Sequence, residues 1–286
     1  MRISVDTNLL QSLLTLATVI EARDHYTGGH TWRVSRYGEL LAQAVGLSRD
    51  EVFSVKVGGL VHDLGKVGVP DAILNKPGPL VDSELLMMQE HPRIGWGIVA
   101  SHPLGPLVHA AIVQHHERLN GSGYPKQLNA SEWSLPGRIL AVADTFDAMT
   151  STRPYRAGLE PVAATALLNA ASGTQLDSSL VEAFLVLFRE GKLSQVIGFA
   201  NDSHSMLSCE SCGPIIAPTS QARDGDLLAC PHCSSTYRLH AAHGHFTLEP
   251  SGNRTGLFTP LPDHDAIQSV LSGARRAIHL PFSRSA

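Results

Sequence analysis

His62 and Asp63 are adjacent at the C-terminal end of an apolar segment running through Val52, Val55 and Leu60, a spacing that predicts a helix. A buried imidazole beside a buried carboxylate is costly unless both are compensated, and a metal ion compensates both. Lys66 follows four residues after His62 and three after Asp63, on the same predicted helix face. There it could hold a phosphate oxygen or protonate a leaving group. His30, His91, His115, His116, Asp144 and Asp147 recur on further predicted helices. Each alone reads as readily as a capped surface group, and Asp147 as a supporting or surface carboxylate. Together, on otherwise apolar helices, they point to a metal centre. Neighbouring helical residues diverge by about 100°. His115 and His116 therefore reach one point only at an irregular helix end; otherwise there are two metals, or one of the pair is not a ligand. Mixed histidine and carboxylate donors suit iron, manganese or zinc rather than magnesium or calcium.

The second chemical cluster is made of cysteine. All four cysteines fall in two CxxC pairs, Cys209/Cys212 and Cys230/Cys233, with seventeen residues between the pairs. This spacing reads as a tetrahedral, structural zinc ribbon, and a segment this small and polar cannot build a core without its metal. A redox role lacks the βαβ context. His232, inside the second pair, reads as solvent-facing rather than as a ligand. The module's basic residues Arg223 and Arg238 are scattered, so protein contact or dimerisation is expected of it rather than nucleic-acid binding.

The elements that must position these groups are mainly helical. Leu9, Leu13, Leu16 and Ile20 mark an amphipathic first helix; Ser48 and Glu51 form a capping box ahead of the helix ending near His62. Further helices are expected near 82–100, over 136–150, and near 160–172 and 178–190, with 119–125 (LNGSGYP) a loop. After about residue 200, short strands near 214–218 and 236–240 replace helices. The expected division is a helical domain over 1–195, a zinc-ribbon-like β module over 205–250 and a partly disordered tail over 251–286. The helical part is expected to be cored separately from the cysteine module and to act without it.

Composition narrows the class. With 43% hydrophobic and 17% charged residues, the 286-residue chain can bury a sizeable core, and a net charge of -4 gives no nucleic-acid signature. No stretch has the length of a membrane span, and Asp6, Asn8 and Gln11 interrupt the only leader-like segment. A cytoplasmic location is expected, with thiols kept for metal rather than disulfides.

An ordered set of motifs resembles the HD-GYP family of HD-domain phosphohydrolases: RDHYTGGH (23–30), HDLGKVGVPDAILNKPGPL (62–80), EHPRIG (90–95), HHERLNGSGYP (115–125), RILAVADTFDAMTSTRPYR (138–156) and GTQLD (173–177). The resemblance implies a helical bundle with a binuclear metal centre, iron or manganese, that cleaves cyclic di-GMP to pGpG or onward to GMP. It implies one metal on His30, His62, Asp63 and Asp144, a second on His91, His115 and His116, and Asp63 bridging the two. Lys66 matches the family's lysine beside the metals; Tyr124, Arg153 and Arg156 match substrate-contacting positions. Two metals roughly 3.5–4 Å apart can clamp the attacking and leaving oxygens of an in-line displacement.

Some relatives carry three metals, with a glutamate four residues before the first ligand histidine. Tyr26 stands there in this chain, so two metals are expected, with one zinc in the ribbon. His25 replaces the family's usual proline, and Asn120 its usual aspartate. The chain leaves no room for an upstream sensor domain, so regulation is expected from elsewhere, such as the C-terminal module. Two other functions fit the same residues: hydrolysis of a mixed GMP–AMP ring, and a non-catalytic nucleotide receptor or adaptor.

Overall fold

Helix starts fall where the sequence supplies caps. Asp6 Oδ1 accepts from the Asn8 amide at 2.7 Å, Ser48 and Glu51 form a reciprocal capping box, and Ser134 and Asp177 cap two later helices. The computed structural model describes residues 2–3, 6–24, 28–152, 156–242, 245–254, 267–268, 270–272 and 280–281. In chain order these form β1 (Arg2–Ile3), α1 (Thr7–Arg23), α2 (His30–Ala44), α3 (Arg49–Val61), a 3-10 turn (Leu64–Gly68) and α4 (Asp71–Leu74). Next come α5 (Asp82–Met88), α6 (His91–Val99), α7 (Gly105–Gln114), α8 (Leu135–Thr150), α9 (Pro161–Ala170) and α10 (Ser178–Arg189). The C-terminal β region holds β2 (Leu207–Cys209), β3 (Gly213–Ile216), β4 (Leu227–Ala229), β5 (Ser235–Ala242) and β6 (His245–Arg254), and β7 (Leu280–Pro281) pairs antiparallel with β1.

The protein is therefore mainly helical, with a small β region carrying the cysteines. Two departures from the periodicity place the site. Residues 82–100 make two helices rather than one. Pro92 has no N–H to give the Met88 carbonyl, and the His91 ring takes that acceptor instead, Nδ1 to O 2.8 Å. The helix leading to His62 ends at Val61, and Lys66 stands on the 3-10 turn beyond it. It reaches Asp63 through that tighter turn, not along a continuous α-helical face.

Helix α3 packs between two layers of core, giving Val55 to one and Val57 to the other. On one side Tyr37, Phe146 and Phe184 meet edge to face, with ring centroids 4.9–5.8 Å apart, joining α2, α8 and α10. On the other, Leu10, Leu13, Val57, Val108 and Ile112 join α1, α3 and α7, and the buried Val270 and Leu271 from the C-terminal residues join them. The β region has its own small cluster around Cys209, Ile215, Ile216, Cys230 and Tyr237. There β2 and β3 form one hairpin, and β4, β5 and β6 an antiparallel sheet in that order. Strand β6 runs past the expected module boundary to Arg254.

Candidate metal centre

The ends of α2, α3, α6 and α7 converge with the middle of α8 on one point. His30 opens α2, His62 caps the C-terminus of α3, His91 opens α6, His115 caps α7, and Asp144 projects from α8. Helix ends carry spare carbonyls, and three of the histidines use carbonyls at such ends to fix their rings. Nδ1 of His62 bonds the Gly59 carbonyl at 2.8 Å, that of His91 the Met88 carbonyl, and that of His115 the Ala111 carbonyl at 2.7 Å. A carbonyl only accepts, so each Nδ1 carries the proton and each Nε2 presents a lone pair inward. Because α7 ends at Gln114, His115 and His116 lie on an irregular turn and both rings face the centre.

Asp63 stands between two sets of donors. Its Oδ2 lies 3.5 Å from His30 Nε2 and 3.3 Å from His62 Nε2; its Oδ1 lies 3.4 Å from His91 Nε2 and 3.9 Å from His115 Nε2. Asp144 closes the first set, 3.4 Å from His30 and 3.9 Å from His62, and its other oxygen is 3.9 Å from Nδ1 of His116. Donor atoms of His30, His62 and Asp144 all lie within 4.8 Å of one another, as do those of Asp63, His91, His115 and His116. The buried His62 Nε2 has no hydrogen-bond partner. An orphaned lone pair beside clustered carboxylates fits a cation and is hard to account for otherwise.

The electrostatics agree. Burial, reinforced by neighbouring histidines, pushes His115 and His116 well below the ordinary imidazole range and His91 down to about 4, so these rings stay neutral donors. Burial raises the Asp63 carboxyl, but Lys66, His62 and His30 outweigh it and hold it well below the usual carboxylate range. His30 is opposite in sense. Burial opposes its charge, yet hydrogen bonds to Asp147 and Asp63 and the fields of Asp147 and Asp144 raise it to about 9. That pocket wants a positive charge, which a divalent cation supplies as readily as a proton.

Several groups support the donors, and two of them, Asp147 and Lys66, are already candidates in the sequence. Asp147 is fully buried rather than at the surface. It accepts from His30 Nδ1 at 2.7 Å and Arg33 Nε at 2.6 Å, and Arg33 holds its carboxyl far below the ordinary range once burial's opposing push is overcome. Lys66 Nζ sits 2.8 Å from Asp63 Oδ2 and 3.1 Å from Asp24 Oδ2. Glu117, also buried, accepts from the amides of Lys126 at 2.7 Å and Leu128 at 3.0 Å, anchoring the loop that carries Tyr124. Asn120 turns the same loop by accepting from Ser122. A buried acid and an arginine one helical turn from a candidate ligand, as Asp147 and Arg33 are, was the available hint. Gly65 is required by close approach: a Cβ there would stand 1.7 Å from the His91 carbonyl oxygen.

Beside the donors opens a cavity of about 320 Å3. Asp24, His30, Asp63, Lys66, His91, His116, Tyr124 and Asp144 line its polar floor, and Ile73, Leu74, Leu80, Leu85 and Met88 its apolar wall. Tyr124 stacks on His116 with centroids 4.7 Å apart. Arg156 is exposed and donates to the Ala148 carbonyl at the rim, outside the lining. Arg153, His25 and Tyr26 lie outside the described residues.

The cysteines form the second cluster. Their four sulfurs all lie within 4.8 Å of one another, and Cys209 and Cys233 are 3.6 Å apart. A tetrahedral zinc with Zn–S of about 2.3 Å requires S···S of about 3.8 Å. None of the four is in a disulfide, and Cys233 is held down to about 6, because bonds from Ser235 and the other thiols outweigh burial. His232 is exposed.

Residues 15–180 match the family described as HD domain, and the chain belongs to that family. It is 38% identical over 190 residues to the cyclic di-GMP phosphodiesterase response regulator RpfG of Xanthomonas campestris pv. campestris (strain 8004), a match covering 66% of this chain and 50% of that protein. It is 39% identical over 184 residues to a cyclic di-GMP phosphodiesterase of Thermotoga maritima, covering 64% and 50%. It is 38% identical over 172 residues to the 3'3'-cGAMP-specific phosphodiesterase 2 of Vibrio cholerae serotype O1, covering 59% and 33%. The chain thus spans half or less of the length of these relatives. Among the described residues no helix is long and apolar enough to cross a membrane.

Proposed function

We propose that this chain is a metal-dependent phosphodiesterase that hydrolyses cyclic di-GMP to pGpG, GMP or both. The observation that carries the reading is Asp63, whose two oxygens face two separate sets of buried donors across one open cavity. His30, His62, Asp63 and Asp144 would hold one cation and His91, His115 and His116 a second, with Asp63 shared. Iron or manganese suits these donors. When bound, the two cations supply Lewis acidity to the phosphoryl group and to the attacking water. The chain's residues do the rest. Lys66, held between Asp63 and Asp24, can neutralise a non-bridging phosphate oxygen or give a proton to the departing sugar oxygen. Tyr124 extends the aromatic face of His116 at the cavity mouth, where a base or sugar can stack. The apolar wall from Ile73 to Met88 offers a purine a dry surface, and Arg153 and Arg156 would meet phosphate.

Residues 1–195 would carry this chemistry, and the zinc-ribbon-like module, expected over 205–250 and extended by β6 to Arg254, would hold one zinc on Cys209, Cys212, Cys230 and Cys233. The module would also offer a surface to a protein partner or a second copy. Four free thiols in metal-ligand spacing suit a reducing compartment, the cytoplasm. A second reading, hydrolysis of a mixed GMP–AMP ring, is favoured by one observation: a relative at 38% identity bears that substrate in its name. Turnover of both nucleotides by one preparation separates the two. A higher kcat/KM on cyclic di-GMP is expected; a preference for the mixed ring would reverse the assignment.

A further inference from the structure

The β2–β3 hairpin, which carries Cys209, does not hang free of the helices. It lies against the turn that leads into His30. A Cβ on Gly28 would come within 3.2 Å of the Ala217 Cβ, 3.3 Å of Met206 Cε and 3.4 Å of the Ile215 carbonyl oxygen. Gly29, at φ +67°, would place a Cβ 2.7 Å from the Ala200 carbonyl oxygen, so the turn and the connecting segment are in backbone contact. At the start of the same strand, Gly213, next to Cys212, approaches Thr152, whose methyl would be 3.4 Å from an added Cβ.

The connecting segment is itself built, not slack. Asn201 is buried, donates to the Pro218 carbonyl at 2.7 Å and accepts from the Ser203 and His204 amides at 3.0 Å. The Ala200 and Met206 amides close the turn onto the His204 and Gly198 carbonyls, each at 2.8 Å. Arg33 then links this segment to the metal centre. One Nη donates to the Phe199 and Gly28 carbonyls at 2.9 and 3.0 Å, while Nε and the other Nη hold Asp147, which holds the His30 ring.

From this continuous path we infer that the four-cysteine module is a clamp on the catalytic centre: its metal-dependent fold presses the segment 199–218 onto Gly28–Gly29 and Arg33, and so positions His30. Arg33, Asn201 and the hairpin are positioning elements acting through Asp147 and His30. A segment this short of apolar core holds its shape through its metal. Emptying the cysteine site should therefore loosen the start of α2 and weaken the first cation site. The clamp rests on the proposed function only for its turnover readout; exchange and metal retention test it independently.

The test uses the full chain, with Cys230→Ser to empty the cysteine site and Asn201→Ala to cut the tie while keeping all four thiols. Hydrogen–deuterium exchange is followed in peptides covering 28–36 and 105–114, together with retention of iron or manganese under a chelator. Cys230→Ser is expected to raise exchange in 28–36 at least tenfold and speed metal loss several-fold, with 105–114 unchanged and with turnover partly restored by excess manganese. Asn201→Ala should show the same pattern, more weakly, with zinc content intact. Wild-type exchange at 28–36 and wild-type metal retention in zinc-free Cys230→Ser would overturn the clamp. If Cys230→Ser loosens 105–114 as well, Asn201→Ala decides: increased exchange confined to 28–36 supports the clamp, and none rejects it.

Discussion

The His/Asp centre and the cysteine cluster are both metal-binding geometries made by bringing distant residues together, yet they are built in opposite ways. The cysteines form a closed set of four like donors, with Cys209 and Cys230 buried and Cys212 and Cys233 half-buried. The His/Asp centre mixes two donor types, shares one carboxylate between two sets, and leaves one side open to a cavity lined by two lysines, a tyrosine and apolar residues. Structural sites fill every coordination position with protein; catalytic sites leave one for water or substrate. The difference also appears in support. Four of the five histidines are oriented one by one through carbonyls and Asp147, as tuned ligands are. The cysteines are carried at the ends of the strands of a hairpin and a sheet.

The largest expected effect breaks the shared carboxylate. Asp63→Ala should lower turnover by more than about 100-fold, beyond the 10–100-fold typical of groups that only support a ligand. It should strip metal from the His/Asp centre and leave the zinc in place, measured by metal analysis and hydrolysis on one sample. Lys66→Ala should lower turnover by about 100-fold, in the range of a lost general acid, with metal content nearly intact; loss of metal there would make Lys66 a structural partner of Asp63. Asp147→Asn keeps the shape but weakens the hold on His30 and Arg33, and should cost about tenfold in metal affinity, read by chelator competition.

The smallest effect lies far from either cluster. Asp177 caps α10, accepting from the Ser179 and Leu180 amides, and pairs with Arg138. Burial raises its carboxyl, but these bonds outweigh it and hold it below the usual range. Because the folded value is depressed, its stabilisation is present above the unfolded value of about 3.9 and drains away as pH falls below it. Asp177→Ala should destabilise by about 1 kcal/mol at pH 7, and by less at pH 3, in thermal denaturation.

Much of this was legible in the residues. The capping box at Ser48 and Glu51, the apolar spacing of α1 and the ordered motifs gave most of the helices and the histidines and aspartates that the fold brings together. Local pattern could not show that Pro92 frees the Met88 carbonyl to orient His91, nor that α7 stops at Gln114 so that both following histidines turn inward. The links from Asp147 to Arg33 and from Glu117 to the 126 and 128 amides join residues that no periodicity connects. Least visible was the seat of the β2–β3 hairpin on Gly28. Composition marks a change of character near residue 200, but it carries no information about which surface the second part covers.

The most direct test is metal analysis and cyclic dinucleotide turnover on one anaerobically purified sample of the full chain. The account predicts two iron or manganese ions and one zinc per chain, with cyclic di-GMP opened to the linear dinucleotide. A sample with both transition-metal sites filled that hydrolyses neither cyclic di-GMP nor a mixed GMP–AMP ring would contradict it.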